Sequence, residues 1–321
     1  MNATDLYSPH DARPGIPPAR VPWGSVGLFL AIAFALGWLV CLPLWLGDGL
    51  ASPLFRVLAA VLMYTPAAGA LIIAFATVPR GSRARYLGLL PFRPVSRKIW
   101  LFVLAPVVFL AVGIGGFVLA VALGWAEADW AMAAVEQQLA GQMDLDVFLI
   151  LQIASLPIAV ATSSIAAFGE ELGWRGYLTT ALSPLGFWRS ALIIGVVWGL
   201  WHAPIILLGY NFQRTDLVGL LAMCAFTFFV GVLLQWSRYV TRSVWPAVVG
   251  HGALNATFTV PLLWATPEMD PLIGMALGLP GWILMAALIV LLLVFRTFRP
   301  GPDWAPKTDA REPQSLQTPI A

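Results

Sequence analysis

Residues 147–175 read VFLILQIASLPIAVATSSIAAFGEELGWR, a long apolar run closed by Glu170, Glu171 and Arg175. The run is long enough to cross a bilayer, whose hydrocarbon core takes about 20 residues of helix. A charge at membrane depth costs about 2.5–3.5 kcal/mol on insertion scales, so two adjacent carboxylates there mark a functional site by default. With about 100° between successive residues, Glu171 and Arg175 share a helical face while Glu170 looks toward a neighbouring one. The spacing therefore favours a structural ion pair between Glu171 and Arg175 and leaves Glu170 free for chemistry.

The rest of the chain repeats the membrane signal. Of its 321 residues 60% are hydrophobic and 11% charged, and the mean hydropathy is +0.83; soluble domains carry about 25% charged residues. Eight apolar runs are predicted to span the bilayer, at about 24–46, 53–78, 99–124, 147–169, 188–208, 217–236, 243–263 and 273–295. The runs lack the period-two alternation of barrel strands, so the expected fold is an all-α, polytopic transmembrane helical bundle. Residues 1–22 form a polar, proline-rich tail, 23–296 the transmembrane domain, and 297–321 a second tail whose Pro, Thr, Asp and Gln content predicts disorder. The run after residue 22 exceeds the core of a signal peptide and is expected to be retained as an anchor.

Charge asymmetry gives an orientation. Between the second and third runs lie Arg80, Arg83, Arg85, Arg93, Arg97 and Lys98 without an acidic residue, whereas 125–146 holds Glu127, Asp129, Glu136, Asp144 and Asp146 without a basic one. The positive-inside rule puts the first of these loops in the cytoplasm, with Arg238, Arg242, Arg296 and Arg299 on the same side. Eight crossings of a cell membrane then leave both termini cytoplasmic. At 1.5 Å per residue the fourth run brings Glu170 close to the cytoplasmic surface. Its helix is therefore expected to continue toward Leu182, or to break near Pro157, so that the carboxylates stay within the membrane. The formal charge of +2 implies no nucleic-acid partner, membrane lipids being the expected surroundings. Cys41 and Cys224 both fall in apolar runs, where burial as small hydrophobes is the expectation.

Of three histidines, His202 and His251 lie inside apolar runs. Alone, either reads as a helix-packing hydrogen bonder; beside Glu170 and Glu171 they read as a site. His251 and Asn255 are four apart and share a face, as do Trp198 and His202. Glu170, His202 and His251 suit a catalytic Zn²⁺, which takes three protein ligands and keeps a position for water. The same residues also suit a metal-free route, with Glu170 as general base and His251 and Asn255 as donors to a developing oxyanion. Spacing does not choose between them.

Glu170-Glu171-x-x-x-Arg175, Trp198-x-x-x-His202 and His251-x-x-x-Asn255 together resemble the three motifs of the CPBP intramembrane proteases, the CAAX-protease and bacteriocin-processing family. The resemblance covers about 147–263, and Trp198 stands where that family more often has Phe. It implies an endopeptidase acting within the membrane on membrane-associated or lipidated peptides, with Glu170, His202, His251 and Asn255 at its centre and Glu171 and Arg175 beside them. A non-catalytic carrier or scaffold using the same polar cluster is the other reading, and the lack of internal repeats argues mildly against a carrier.

Overall fold

The computed structural model describes residues 17–91 and 95–298. Arg93, Arg299 and the tail predicted to be disordered beyond Phe298 lie outside these bounds. Nine helices organise the described residues: α1 (Trp23–Trp45), α2 (Phe55–Leu62), α3 (Thr65–Thr77), α4 (Val95–Ala122), α5 (Leu145–Glu171), α6 (Phe187–Trp201), α7 (Leu217–Thr241), α8 (Trp245–Thr257) and α9 (Leu279–Val294), with shorter helical turns between them. Among the described residues the only strand-like pairing is an isolated bridge, Ala128 to Ala265. The protein is an all-α, polytopic helical bundle.

Each of the eight predicted runs contains helix, but among the described residues only six helices are long and apolar enough to cross a membrane: Trp23–Trp45, Phe55–Thr77, Lys98–Ala122, Leu145–Ala181, Leu217–Thr241 and Pro271–Val294. The count of eight is therefore not reached by length. Helices α6 and α8 have 15 and 13 residues, or about 20 Å each, short of the ~30 Å hydrocarbon core. Their apolar runs are longer than their helices because the chain turns at His202 before Pro204 and again after Thr257.

Helix α5 starts on a strong cap, the Asp144 carboxylate accepting from the backbone N–H groups of Asp146 and Val147. It runs through Pro157 without ending, and passes at Leu172–Leu178 into a π-helix before a last α turn at Thr179–Ala181. Of the two sequence expectations, continuation toward Leu182 is the one found. The wider turn leaves carbonyls outside the regular i→i−4 ladder. One of them, on Arg175, accepts from Arg238 Nε at 3.1 Å across α7.

Close backbone contacts fix the bundle. Helix α6 meets α7 through Gly195 and Gly199: a Cβ on either would lie 2.7 Å from Phe228 Cα or 2.4 Å from Cys224 Cα. Helix α8 meets α5 at Gly252, where a Cβ would come within 2.6 Å of Ser164 Cα. Lipid tails are as apolar as leucine, so such small-residue contacts replace the hydrophobic effect as the basis of packing. Gly173 and Gly176 serve the same end, against Pro66 and the Leu87 carbonyl.

Two basic residues of the charge-asymmetry argument have other roles. Arg238 is 2% exposed and bonded to the Arg175 carbonyl and to Thr180 Oγ1, and Lys98 is 2% exposed with its ammonium on the Pro91 carbonyl. Both are placed by the backbone acceptors they satisfy, so neither counts as a free surface charge. Cys41 and Cys224 are buried and unpaired, as their apolar surroundings predict.

Candidate active site

The cluster forms where α5 passes between α6, α7 and α8. Glu170, Glu171 and Arg175 are all buried, and the angular offset between the adjacent carboxylates sends them to different partners. Glu171 Oε1 accepts from Arg175 Nη1 at 2.9 Å, one turn along its own helix, and lies 2.9 Å from His251 Nδ1 on α8. Both charges of that ion pair are fully buried. Removing two charges from water is costly, and here one carboxylate oxygen answers two donors.

Glu170 is held differently. Its Oε2 accepts from the indole Nε1–H of Trp198 on α6 at 2.5 Å. Its other oxygen makes no hydrogen bond to another described residue. The Trp198 ring also carries the Arg175 guanidinium over its face, 4.2 Å from the centroid, and meets the His251 ring edge-on at 5.3 Å.

His202 ends α6. Its Nδ1 lies 2.8 Å from the Trp198 carbonyl, and a carbonyl can only accept, so Nδ1 bears hydrogen and a neutral ring keeps its lone pair on Nε2. Trp201 packs edge-on against this imidazole at 4.8 Å and donates to Thr65 Oγ1 at 3.2 Å, tying the end of α6 to α3. Asn255 sits one turn beyond His251 on the same face of α8, half-buried, its side-chain amide making no hydrogen bond to another described residue.

The structure thus joins Glu170, Glu171, Arg175, Trp198, His202 and His251 through direct contacts, with Asn255 beside them. It does not assemble the zinc set. Among the described residues no three of His, Cys, Asp and Glu come together as a metal-ligand group. The bonds described engage one atom of each residue, Glu170 Oε2, His202 Nδ1 and His251 Nδ1, and leave Glu170 Oε1 and the two Nε2 atoms outside them.

Three contributors escape a reading by spacing. Arg238 looks like a topology signal because it lies at the end of its apolar run. Thr65 and Tyr210 carry no mark at all; Tyr210, in the loop before α7, lies within electrostatic reach of Glu170 and packs on Phe55 at 5.6 Å.

An all-α membrane bundle with a buried glutamate, two imidazoles and an amide on three packed helices has the makings of a hydrolase centre. Residues 152–257, which hold every one of these groups, match the model of the type II CAAX prenyl endopeptidase Rce1-like family. The chain is also 30% identical over 98 residues to CAAX prenyl protease 2 of Methanococcus maripaludis, covering 28% of this chain and 36% of that protein. The chain thus spans about a third of the length of the relative it matches. The family match falls on the segment that carries the site.

Proposed function

We propose that the protein is an intramembrane endopeptidase of the CAAX-protease kind, hydrolysing a peptide bond near the end of a membrane-associated or lipidated peptide. The observation that supports this most is the division of labour between adjacent carboxylates. Glu171 pairs with Arg175 and takes the His251 ring through the same oxygen, whereas Glu170 has one oxygen held by the Trp198 indole and the other open. In such a place a carboxylate can take a proton from water as general base.

The free Nε2 lone pair of His202 is suited to hold the same water from the opposite side. As the water oxygen attacks the scissile carbonyl, its proton passes to Glu170, and the carbonyl oxygen gains charge. The Asn255 amide, one turn from His251 on α8, is proposed to donate to it, a role worth about 10²–10³ in rate where it has been removed elsewhere. Glu170 then returns the proton to the leaving nitrogen. The metal-dependent version with Zn²⁺ on Glu170, His202 and His251 is supported less well, since among the described residues these three do not come together as a ligand group.

The test is cleavage in lipid vesicles of a farnesylated peptide and its unmodified counterpart by the purified protein, with and without a zinc chelator. Cleavage unaffected by chelation supports the glutamate route; cleavage lost on chelation and restored by zinc replaces it with the metal route. Cleavage of neither peptide while a soluble tracer crosses the bilayer supports the carrier reading.

The orientation proposed is with both termini and the 79–98 loop cytoplasmic. Cysteine placed at exposed Arg80 should resist an impermeant thiol reagent in intact cells, and one at exposed Trp130 should react. Because Cys41 and Cys224 are buried, the parent supplies a low background. Labelling at 80 from outside inverts the topology.

A further inference from the structure

Of the residues in the cluster, Trp198 touches the most of the others. Its indole N–H holds Glu170 Oε2 at 2.5 Å, its carbonyl takes the Nδ1–H of His202 at 2.8 Å, its face lies 4.2 Å from the Arg175 guanidinium, and its edge meets His251 at 5.3 Å. The residue is 2% exposed. We propose that Trp198 is a positioning residue for Glu170: its indole N–H takes up one carboxylate oxygen and so aims the other at the water. This rests on the proposed role of Glu170.

The geometry separates this duty from ordinary packing. A hydrocarbon ring at position 198 can still lie under Arg175 and against His251, and the backbone carbonyl can still fix His202. Only the donor to Glu170 belongs to the indole. Without it, a carboxylate rotates about its last bond among several orientations, because the torsion between tetrahedral and planar carbon is broad. Glu171 is held through its Oε1 by two donors at once, Arg175 and His251, while its buried Oε2 has no partner among the described residues. The two glutamates are thus oriented by different devices, an ion pair for one and a neutral N–H for the other. A neutral donor orients Glu170 without adding a second formal positive charge beside it, which an arginine in that place would do.

The experiment compares Trp198→Phe with Trp201→Phe. Trp201 is an equally buried indole on the same helix whose N–H goes to Thr65 instead, so its variant measures the cost of losing a pyrrole ring. Trp198→Phe should lower kcat by about ten-fold or more with KM within about two-fold, the size expected when a hydrogen bond to a charged group is lost from the transition state. It should also displace the midpoint of the acid limb of the pH–rate profile, which Trp201→Phe leaves in place. Independently of turnover, the indole ¹H–¹⁵N resonance that disappears in Trp198→Phe should move when Glu170 is replaced by Ala. A kcat for Trp198→Phe no lower than that of Trp201→Phe, or an indole resonance indifferent to Glu170→Ala, overturns the assignment. If the parent cleaves no peptide, the proposed protease function fails, and the resonance still decides whether the indole holds Glu170.

Discussion

From Leu145 to Ala166 the long fifth helix has no buried residue, while every residue from Gly169 to Ser183 is buried. The first stretch is the more apolar one, with Ile150, Ile153, Ile158 and Ile165 each about two-thirds exposed; the second contains the two glutamates, an arginine and two threonines. This inverts the order of a soluble protein, because the surface of a membrane bundle faces hydrocarbon. Apolar side chains there lose nothing by exposure, and the interior goes to groups that need partners or close approach. Hydropathy along this helix therefore locates the membrane, and charge locates the core.

The contrast between the two stretches can be broken at several points. The largest effect expected is on turnover: Glu170→Gln removes the proposed general base and should lower kcat by about 10²–10⁴, with a melting temperature in detergent close to that of the parent. Equal turnover by Glu170→Gln and parent transfers the chemistry to another group. Glu171→Gln should act mainly on the fold. It leaves Arg175 buried beside a weaker acceptor, and breaking one side of a buried pair costs about 3–5 kcal/mol, seen as a large drop in melting temperature.

A smaller loss is expected from Gly173→Ala, whose Cβ would sit 2.5 Å from Pro66 Cβ. Overpacking of that kind costs about 1–3 kcal/mol, and thermal unfolding in detergent measures it. Least of all should result from Ile158→Ala on the lipid-facing stretch, where the change in stability should stay within about 0.5 kcal/mol. A cost at Ile158 equal to that at Gly173 would mean that the first stretch is covered by protein and that the contrast between the two is false.

The all-α fold and the membrane setting were legible from the runs themselves, since nothing but apolar helix accounts for them. So was the meeting of Glu171 with Arg175, which their spacing of four along one helix predicts. Two things were not legible. Run length overstated α6 and α8, whose apolar sequence continues past their ends at His202 and Thr257; hydropathy does not register a turn made inside the membrane. The pairing within the cluster was also hidden. Spacing along one helix relates Glu171 to Arg175, but which imidazole faces which carboxylate depends on how α5, α6 and α8 approach, and that is set by Gly195, Gly199 and Gly252, small residues whose neighbours no single sequence reveals.

The π-helical segment at Leu172–Leu178 also governs how this protein can be compared and recombined with others. Each extra residue in a helical turn rotates the remainder of the helix by about 100°. Threonines 179 and 180 and the carbonyl gripped by Arg238 therefore hold a phase relative to Glu170 and Glu171 that a regular helix does not reproduce. A π turn holds one residue more than an α turn, so removing one residue of the segment closes it into a regular helix, and it is the widened turn, with the carbonyl that Arg238 grips, that is lost. A chimera joined within it inherits two incompatible phases, so an exchange of domains must place its junction before Ala167 or after Ser183.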